Sequence, residues 1–153
     1  MPRIEKRAEA LGVELPSAPA ALGKYLPAKQ VNNLVYTSGQ LPLADGTLLH
    51  EGRLGEDVSV EEGREAARRC ALNCLAAAKA VVDDLDRVEE VVQVRGYVNS
   101  APGFHQQSQV LNGASELLVD LFGEGGHHTR VALGMAALPR NAPIEVDILL
   151  RVQ

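Results

Sequence analysis

Three charged residues near the C-terminus have the types and spacing to do chemistry: Arg130, Glu145 and Asp147. Residues 129–137 and 144–152 read as strands on either side of a turn at Pro139–Pro143. On the first, Arg130 shares a face with Ala132, Gly134 and Ala136, so a guanidinium stands beside a floor of residues with almost no side chain. On the second, Ile144, Val146, Ile148, Leu150 and Val152 form an apolar face, and Glu145 and Asp147 occupy the other. An Arg grips a carboxylate with two parallel hydrogen bonds, and a Glu can orient or deprotonate a water, so the pattern suits a small anionic ligand. From pattern alone it better describes a solvated strand face carrying charges, whose small residues admit a helix. As a simple hairpin with Ala137 opposite Ile144, the two strands set Glu145 across from Ala136, six residues from Arg130. At ~3.3 Å per residue that is ~20 Å, too far for one small molecule. Either the strands are not neighbours or the site draws on two subunits.

Other chemistries are set aside by what the chain lacks. It contains no GxGxxG, GxxxxGK[ST], HExxH or CxxC, the common nucleotide and zinc signatures, and no cofactor or metal is expected. Fifteen Lys and Arg against twenty Asp and Glu give a net charge of −5. The one tight basic pair, Arg68-Arg69, has Glu65 one turn before it, which argues against binding a phosphate backbone. Cys70 and Cys74, four apart in a helical pattern, read as free thiols of a helix core rather than a disulfide or metal pair. No run approaches the ~20 apolar residues of a membrane span. Residues 1–6 lead into charge rather than the apolar stretch of a signal peptide, so a cytoplasmic protein is expected.

The elements that must position these residues follow from periodicity. Residues 1–22 read as an N-terminal helical extension, with a charged stretch ending at Gly12 and a Pro/Ala/Ser segment from Leu15 to Ala21; residues 23–153 read as one domain. Tyr25–Val31 and Leu34–Ser38 flank Asn32-Asn33, a plausible tight turn, and Thr47–Leu54 reads as a third strand. Ser59 and Glu62 form a capping box that opens an amphipathic helix of about 26 residues. Val88–Val98 reads as a half-buried strand, and a second helix lies between Pro102 and Phe122, although Asn112-Gly113 within it is also a hairpin signal. The order is βββαβαββ, an α+β domain with both helices on one face of a mixed sheet. Five aromatic rings, three Tyr and two Phe with no Trp, leave a core of Ala, Val, Leu and Ile. Such a core buries less area per position, which favours association with further copies of the chain.

Two stretches carry a resemblance. Leu34-Val35-Tyr36-Thr37-Ser38-Gly39-Gln40-Leu41-Pro42 resembles the hairpin motif of the RidA/YjgF family of enamine/imine deaminases. Thr129-Arg130, then Leu138-Pro139, then Ile144-Glu145-Val146 resembles that family's terminal signature, and the match in spacing runs from about Gly23 to Val152. The resemblance implies a chorismate-mutase-like fold, a homotrimer, and sites in the clefts between subunits. It implies that Arg130 binds a substrate carboxylate and Glu145 positions the water that attacks a C=N carbon. Tyr25, Ser38 and Gly39 would line the cleft, and Asn112 matches a helix Asn of the site if about four residues are inserted after Phe104. His127-His128-Thr129 stands where the family commonly has Phe-Pro-Ala, and Ala132 where a Cys often lies. The Ala132 carbonyl can still hold a water, and the two His, beside a Gly-rich loop, read as mouth or surface residues. The implied reaction is hydrolysis of a 2-imino acid to the 2-keto acid and ammonia. The alternatives are a trimer that binds a small carboxylic acid without turnover, and a ribonuclease. The last is opposed by the acidic balance and the lack of a basic stripe with stacking aromatics.

Overall fold

Ser59 starts the longest element, as its capping box requires. In the computed structural model, which describes residues 2–20 and 23–153, the Ser59 hydroxyl accepts the Glu62 N–H at 3.1 Å. The Ser59 N–H in turn donates to the Glu62 carboxylate at 2.9 Å. Helix α2 (Val60–Val82) follows, and its buried residues include Ala66, Ala67, Cys70, Ala71, Cys74, Leu75 and Ala78. It stops short of Leu85 because Asp83 leaves the helical region at φ 69°, and Leu85–Arg87 form a separate 3-10 turn.

Five strands make the sheet, in the order β1 (Ala28–Val31), β2 (Leu34–Thr37), β7 (Ile144–Val152), β5 (Val88–Asn99), β6 (Thr129–Met135). Strands β1 and β2 turn antiparallel through Asn32 at φ 55°, as the Asn pair suggests. Strand β7 is antiparallel to both β2 and β5, whereas β6 runs parallel to β5 at the sheet edge. The last two strands are therefore not neighbours, which is the first of the two alternatives their sequence leaves open. Parallel pairing needs a crossover of a dozen or more residues, which α3 (Gln107–Phe122) supplies between β5 and β6. The chain then steps over the end of β5 to reach β7, pinned by Ser100 N–H to Met135 O (3.0 Å) and Asn99 N–H to Pro143 O (2.9 Å).

The third strand expected at Thr47–Leu54 is also corrected. There β3 (Leu43–Ala44) and β4 (Thr47–Leu48) pair in a two-stranded ribbon outside the sheet, and Leu54 makes isolated bridges to Val58 and Ser100. His50, Gly52 and Gly55 all have positive φ, which breaks any longer extended run.

Helices α2 and α3 cover one face of the sheet, as expected. Helix α3 passes unbroken through Asn112-Gly113, and its packing explains the glycine. A Cβ on Gly113 would sit 2.1 Å from the Arg64 carbonyl oxygen of α2. The dipeptide marks a close helix crossing rather than a hairpin turn. Of the aromatic residues, Phe122 alone joins the buried core among the described residues, and aliphatic side chains fill the rest. Cys70 and Cys74 are free and buried there, with Cys74 Sγ 3.2 Å from Val146 O. Burial pushes the Cys74 thiol up to about 12, so it is an inert packing group at neutral pH.

Residues expected as an extension form α1 (Arg3–Ala10), which is packed onto the domain. The Asp86 carboxylate accepts the Arg3 and Ile4 N–H groups at 2.7 and 2.8 Å, Arg7 donates to Leu121 O, and Ile4 and Ala8 are buried. The junction proposed after residue 22 falls at Ala21-Leu22, outside the described residues. Among the described residues no helix is long and apolar enough to cross a membrane.

Gly113→Ala tests the crossing. Ala gains about 1 kcal/mol in helix propensity over Gly, but overpacking against unyielding backbone costs about 1–3 kcal/mol. With the Cβ only 2.1 Å from Arg64 O, the steric term is expected to win. The expected outcome in urea unfolding is a lower midpoint, whereas a stabilised variant would show that the two helices are free to separate.

Candidate functional site

Arg130 stands opposite Val94 in the β5–β6 ladder and, like the buried Val94, faces the helix layer. There α3 offers Ser108, Asn112 and Ser115, spaced i, i+4, i+7 on one helical face. Arg130 Nη1 donates to Asn112 Oδ1 at 2.9 Å and to Ser115 Oγ at 3.1 Å. Nη2 donates to Ser108 Oγ at 3.0 Å and to its carbonyl at 3.3 Å. The guanidinium is thus held by its outer nitrogens, while Nε has no partner among the described residues. Ala132 and Gly134 continue the same face of this edge strand. Ala132 packs against the core, and Gly134 lies under Gln107 of α3, so the small residues do admit a helix.

Behind Ser115 stands His128, two residues before Arg130 and on its side of the strand. His128 Nδ1 lies 2.6 Å from Gly126 O, and Nε2 lies 2.9 Å from Ser115 Oγ. A carbonyl can only accept, so Nδ1 carries the proton and Nε2 accepts from the Ser115 hydroxyl. Burial pushes the His128 pKa below its ordinary value, and the positive charge of Arg130 acts in the same direction. The neutral imidazole is therefore favoured. His127 is exposed, whereas His128 is half-buried beside Arg130, a position at the mouth rather than on the open surface. Its signal in the sequence was the two-residue spacing from Arg130.

Glu145 pairs with Tyr97 on the opposite, uncovered face of the sheet. A Cβ on Gly39 would lie 2.3 Å from Glu145 Oε2, so the missing side chain makes room for the carboxylate. No hydrogen bond reaches that carboxylate from the described residues. Burial pushes its pKa up, and the neighbouring Asp147 adds to the shift. Asp147 is differently placed: it accepts Arg95 Nε at 2.7 Å and the Tyr97 hydroxyl at 2.9 Å. Ser38 anchors the loop by donating its hydroxyl to Leu26 O at 2.6 Å. Beside it, Tyr25, Gly39, Gln40, Asn73 and Arg140 line a cleft of about 580 Å³.

Two half-sites result. Arg130, Asn112 and Ala132 lie together at the β6 edge; Glu145, Gly39, Ser38 and Tyr25 gather around β7 and the loop after β2. Arg130 and Glu145 are two strands apart and offset by three rows of β5, from Val94 to Tyr97. That separates their Cα atoms by ~14 Å, with side chains on opposite faces. One chain does not bring them together. Among the described residues no group of three or more His, Cys, Asp or Glu side chains forms a metal site.

Residues 5–151 match the sequence profile of a family described as "YjgF/chorismate_mutase-like, putative endoribonuclease". The chain belongs to the RidA/YjgF family. Among its relatives, Protein TCP17 of Trypanosoma cruzi is 42% identical over 98% of this chain and 94% of its own length. A 2-iminobutanoate/2-iminopropanoate deaminase of Dermatophagoides farinae is 25% identical over 92% of this chain and 95% of its own. The crystal structure of a protein of unknown function from Agrobacterium tumefaciens superposes with a TM-score of 0.92 at 42% identity, covering 98% and 92% of the two chains. The α+β architecture expected from the sequence is thus the fold of the RidA/YjgF family, and the matched region takes in most of α1.

The raised Glu145 pKa has a definite sign for stability. Between the ordinary 4.5 and the higher folded value, the folded chain keeps a proton that the unfolded chain has released. This contribution is full below 4.5 and is lost as pH rises through the folded pKa. Gln cannot release that proton. Thermal unfolding of Glu145→Gln is expected to show a stabilisation relative to the parent that grows from about pH 4 to about pH 8. A difference that stays constant with pH would contradict the raised pKa.

Proposed function

We propose that this protein hydrolyses reactive 2-imino acids, formed from enamines such as 2-aminoacrylate, to 2-keto acids and ammonia. We place the reaction in clefts between the subunits of a homotrimer. One observation carries the reading: Arg130 and Glu145 occupy opposite faces of one sheet, so only a neighbouring copy can put both on a single small molecule. The uncovered face supports association, since Tyr36, Val131 and Leu133 remain 48%, 39% and 47% exposed on it. A closed head-to-tail ring would set the Arg130 edge of one subunit against the Glu145 face of the next.

In such a cleft the Nε side of Arg130 binds the substrate carboxylate, displacing the Ser108 contact from Nη2. Nη1 stays fastened to Asn112 and Ser115. A water beside Glu145 attacks the imine carbon. The new C–O bond forms as the C=N electron pair moves to nitrogen, and Glu145 takes the water proton and returns it to that nitrogen. In the carbinolamine Glu145 then takes the hydroxyl proton and passes it to the amino nitrogen, so that C=O forms as the C–N bond breaks and ammonia leaves. A carboxyl with a raised pKa suits this exchange, because it can hold and return a proton nearer neutrality. The imine carbon is already electrophilic, so the protein supplies position and proton transfer.

The test generates an imine with a pyridoxal-dependent dehydratase or an amino acid oxidase and follows its decay. The wild type should accelerate decay, and Arg130→Ala should lower kcat/KM by about 10²-fold or more, as loss of a charged binding donor does elsewhere. Sedimentation should give three copies. Equal decay with and without protein would remove the enzymatic reading. Saturable 2-ketobutyrate binding that is lost in Arg130→Ala would then favour the carboxylate-binding trimer, whose Arg130 half is already built within one chain.

A further inference from the structure

We propose that His128 is a positioning residue: acting through Ser115, it fixes which edge of the Arg130 guanidinium is offered to a ligand carboxylate. The inference rests on the reading of Arg130 as the carboxylate anchor.

Hydrogen counting carries it. Both protons of Arg130 Nη1 are committed, one to Asn112 Oδ1 and one to Ser115 Oγ. Ser115 has a single hydroxyl proton, and His128 Nε2 is the acceptor within reach at 2.9 Å. His128 is held in the tautomer that leaves Nε2 free to accept, because its Nδ1–H is taken by Gly126 O. Donation therefore runs one way, from guanidinium to Ser115 to His128 to the Gly126 carbonyl.

The far end of this chain is anchored. Gly126 is buried against α3, where a Cβ would come within 2.4 Å of Leu118 O. A Cβ on the preceding Gly125 would come within 2.4 Å of Glu89 O. A rigid backbone carbonyl thus orients an imidazole, which orients a hydroxyl, which turns its lone pairs to the guanidinium. With Nη1 held from behind, Nε and Nη2 form the open edge of the fork. Among the described residues the one group opposing them is Ser108, an exposed residue in the first turn of α3 that a ligand can displace. Without the His128 acceptor, the Ser115 hydroxyl turns freely, and Asn112 alone holds Nη1.

Four variants of the full chain test this: His128→Leu, which removes the acceptor; His128→Gln, whose side-chain oxygen can replace it; Ser115→Ala; and the double variant Ser115→Ala/His128→Leu. The first readout needs no ligand. In ¹⁵N NMR spectra the Arg130 Nη signals should be distinct in wild type and His128→Gln, and averaged by rotation in His128→Leu and Ser115→Ala. The second is calorimetric titration with 2-ketobutyrate. Loss of one orienting hydrogen bond should weaken binding by about 3- to 10-fold in His128→Leu and Ser115→Ala, with recovery in His128→Gln. Because His128 acts through Ser115, the double variant should bind no more weakly than Ser115→Ala. Unchanged Arg130 signals in His128→Leu would overturn the proposal, as would additive losses in the double variant. A wild type that binds 2-ketobutyrate but hydrolyses no imine would defeat only the deaminase reading and leave the relay standing.

Discussion

Side chains on a strand alternate between the two faces of a sheet, and here α2 and α3 seal one of those faces. A polar group can then reach a small molecule only from the uncovered face or around an edge that the helices leave accessible. Glu145 takes the first route and Arg130 the second. β6 is the edge strand, so the Arg130 side chain, though on the helix side, emerges beside α3 rather than beneath it. The insertion of β5 between β6 and β7 sets this arrangement. It gives β6 its parallel partner, puts β7 in the middle of the sheet and leaves the two halves of the candidate site on different surfaces.

Packing among small residues supports the same geometry. Gly113 brings α3 close to Arg64 of α2, and at Gly96 a Cβ would fall 2.1 Å from Leu111 Cδ1, so α3 settles low on the sheet. That depth brings Asn112 and Ser115 within hydrogen-bond reach of Arg130. The cost is a slim core in which aliphatic side chains do nearly all the packing. With Val131 and Leu133 left on the outer face of the strand that carries Arg130, association would cover apolar surface and complete the site together.

How much of this could be read from the chain depended on whether the deciding contact was local. The Ser59–Glu62 cap and the alternation of β7 involve near neighbours, and both elements formed where their patterns lie. Residues 129–137 and 144–152 do not pair with each other, because the partner that both strands take, β5, begins far earlier in the chain, at Val88. Asn112-Gly113 misleads for a related reason: the dipeptide suits a tight turn and a close helix crossing equally, and only the distant Arg64 decides between them. Arg130 and Glu145 stood out by residue type, but which face each occupies depends on sheet order. His128 was legible only in its spacing from Arg130; its partner Ser115 lies 13 residues away on α3, and no local rule joins them.

Keeping Arg130 and Glu145 apart within the chain also has an electrostatic consequence. An opposite charge within about 4–6 Å lowers a carboxyl pKa by about 1–3 units, which would make Glu145 a weaker base and occupy the guanidinium with a salt bridge. In this fold neither happens. Asp147, two residues from Glu145 on the same face, takes Arg95 and the Tyr97 hydroxyl, whereas burial and the Asp147 charge raise the Glu145 pKa. Asp147 is thus committed to its two donors, whereas Glu145 has no hydrogen-bond partner among the described residues and is left for proton exchange. Among the described residues Arg130 pairs with no carboxylate and is fastened by neutral oxygens, which leaves its charge for an incoming anion. In the proposed cleft the substrate carboxylate would occupy the guanidinium before Glu145 could, so the base would keep its raised pKa at the moment the water attacks the imine carbon.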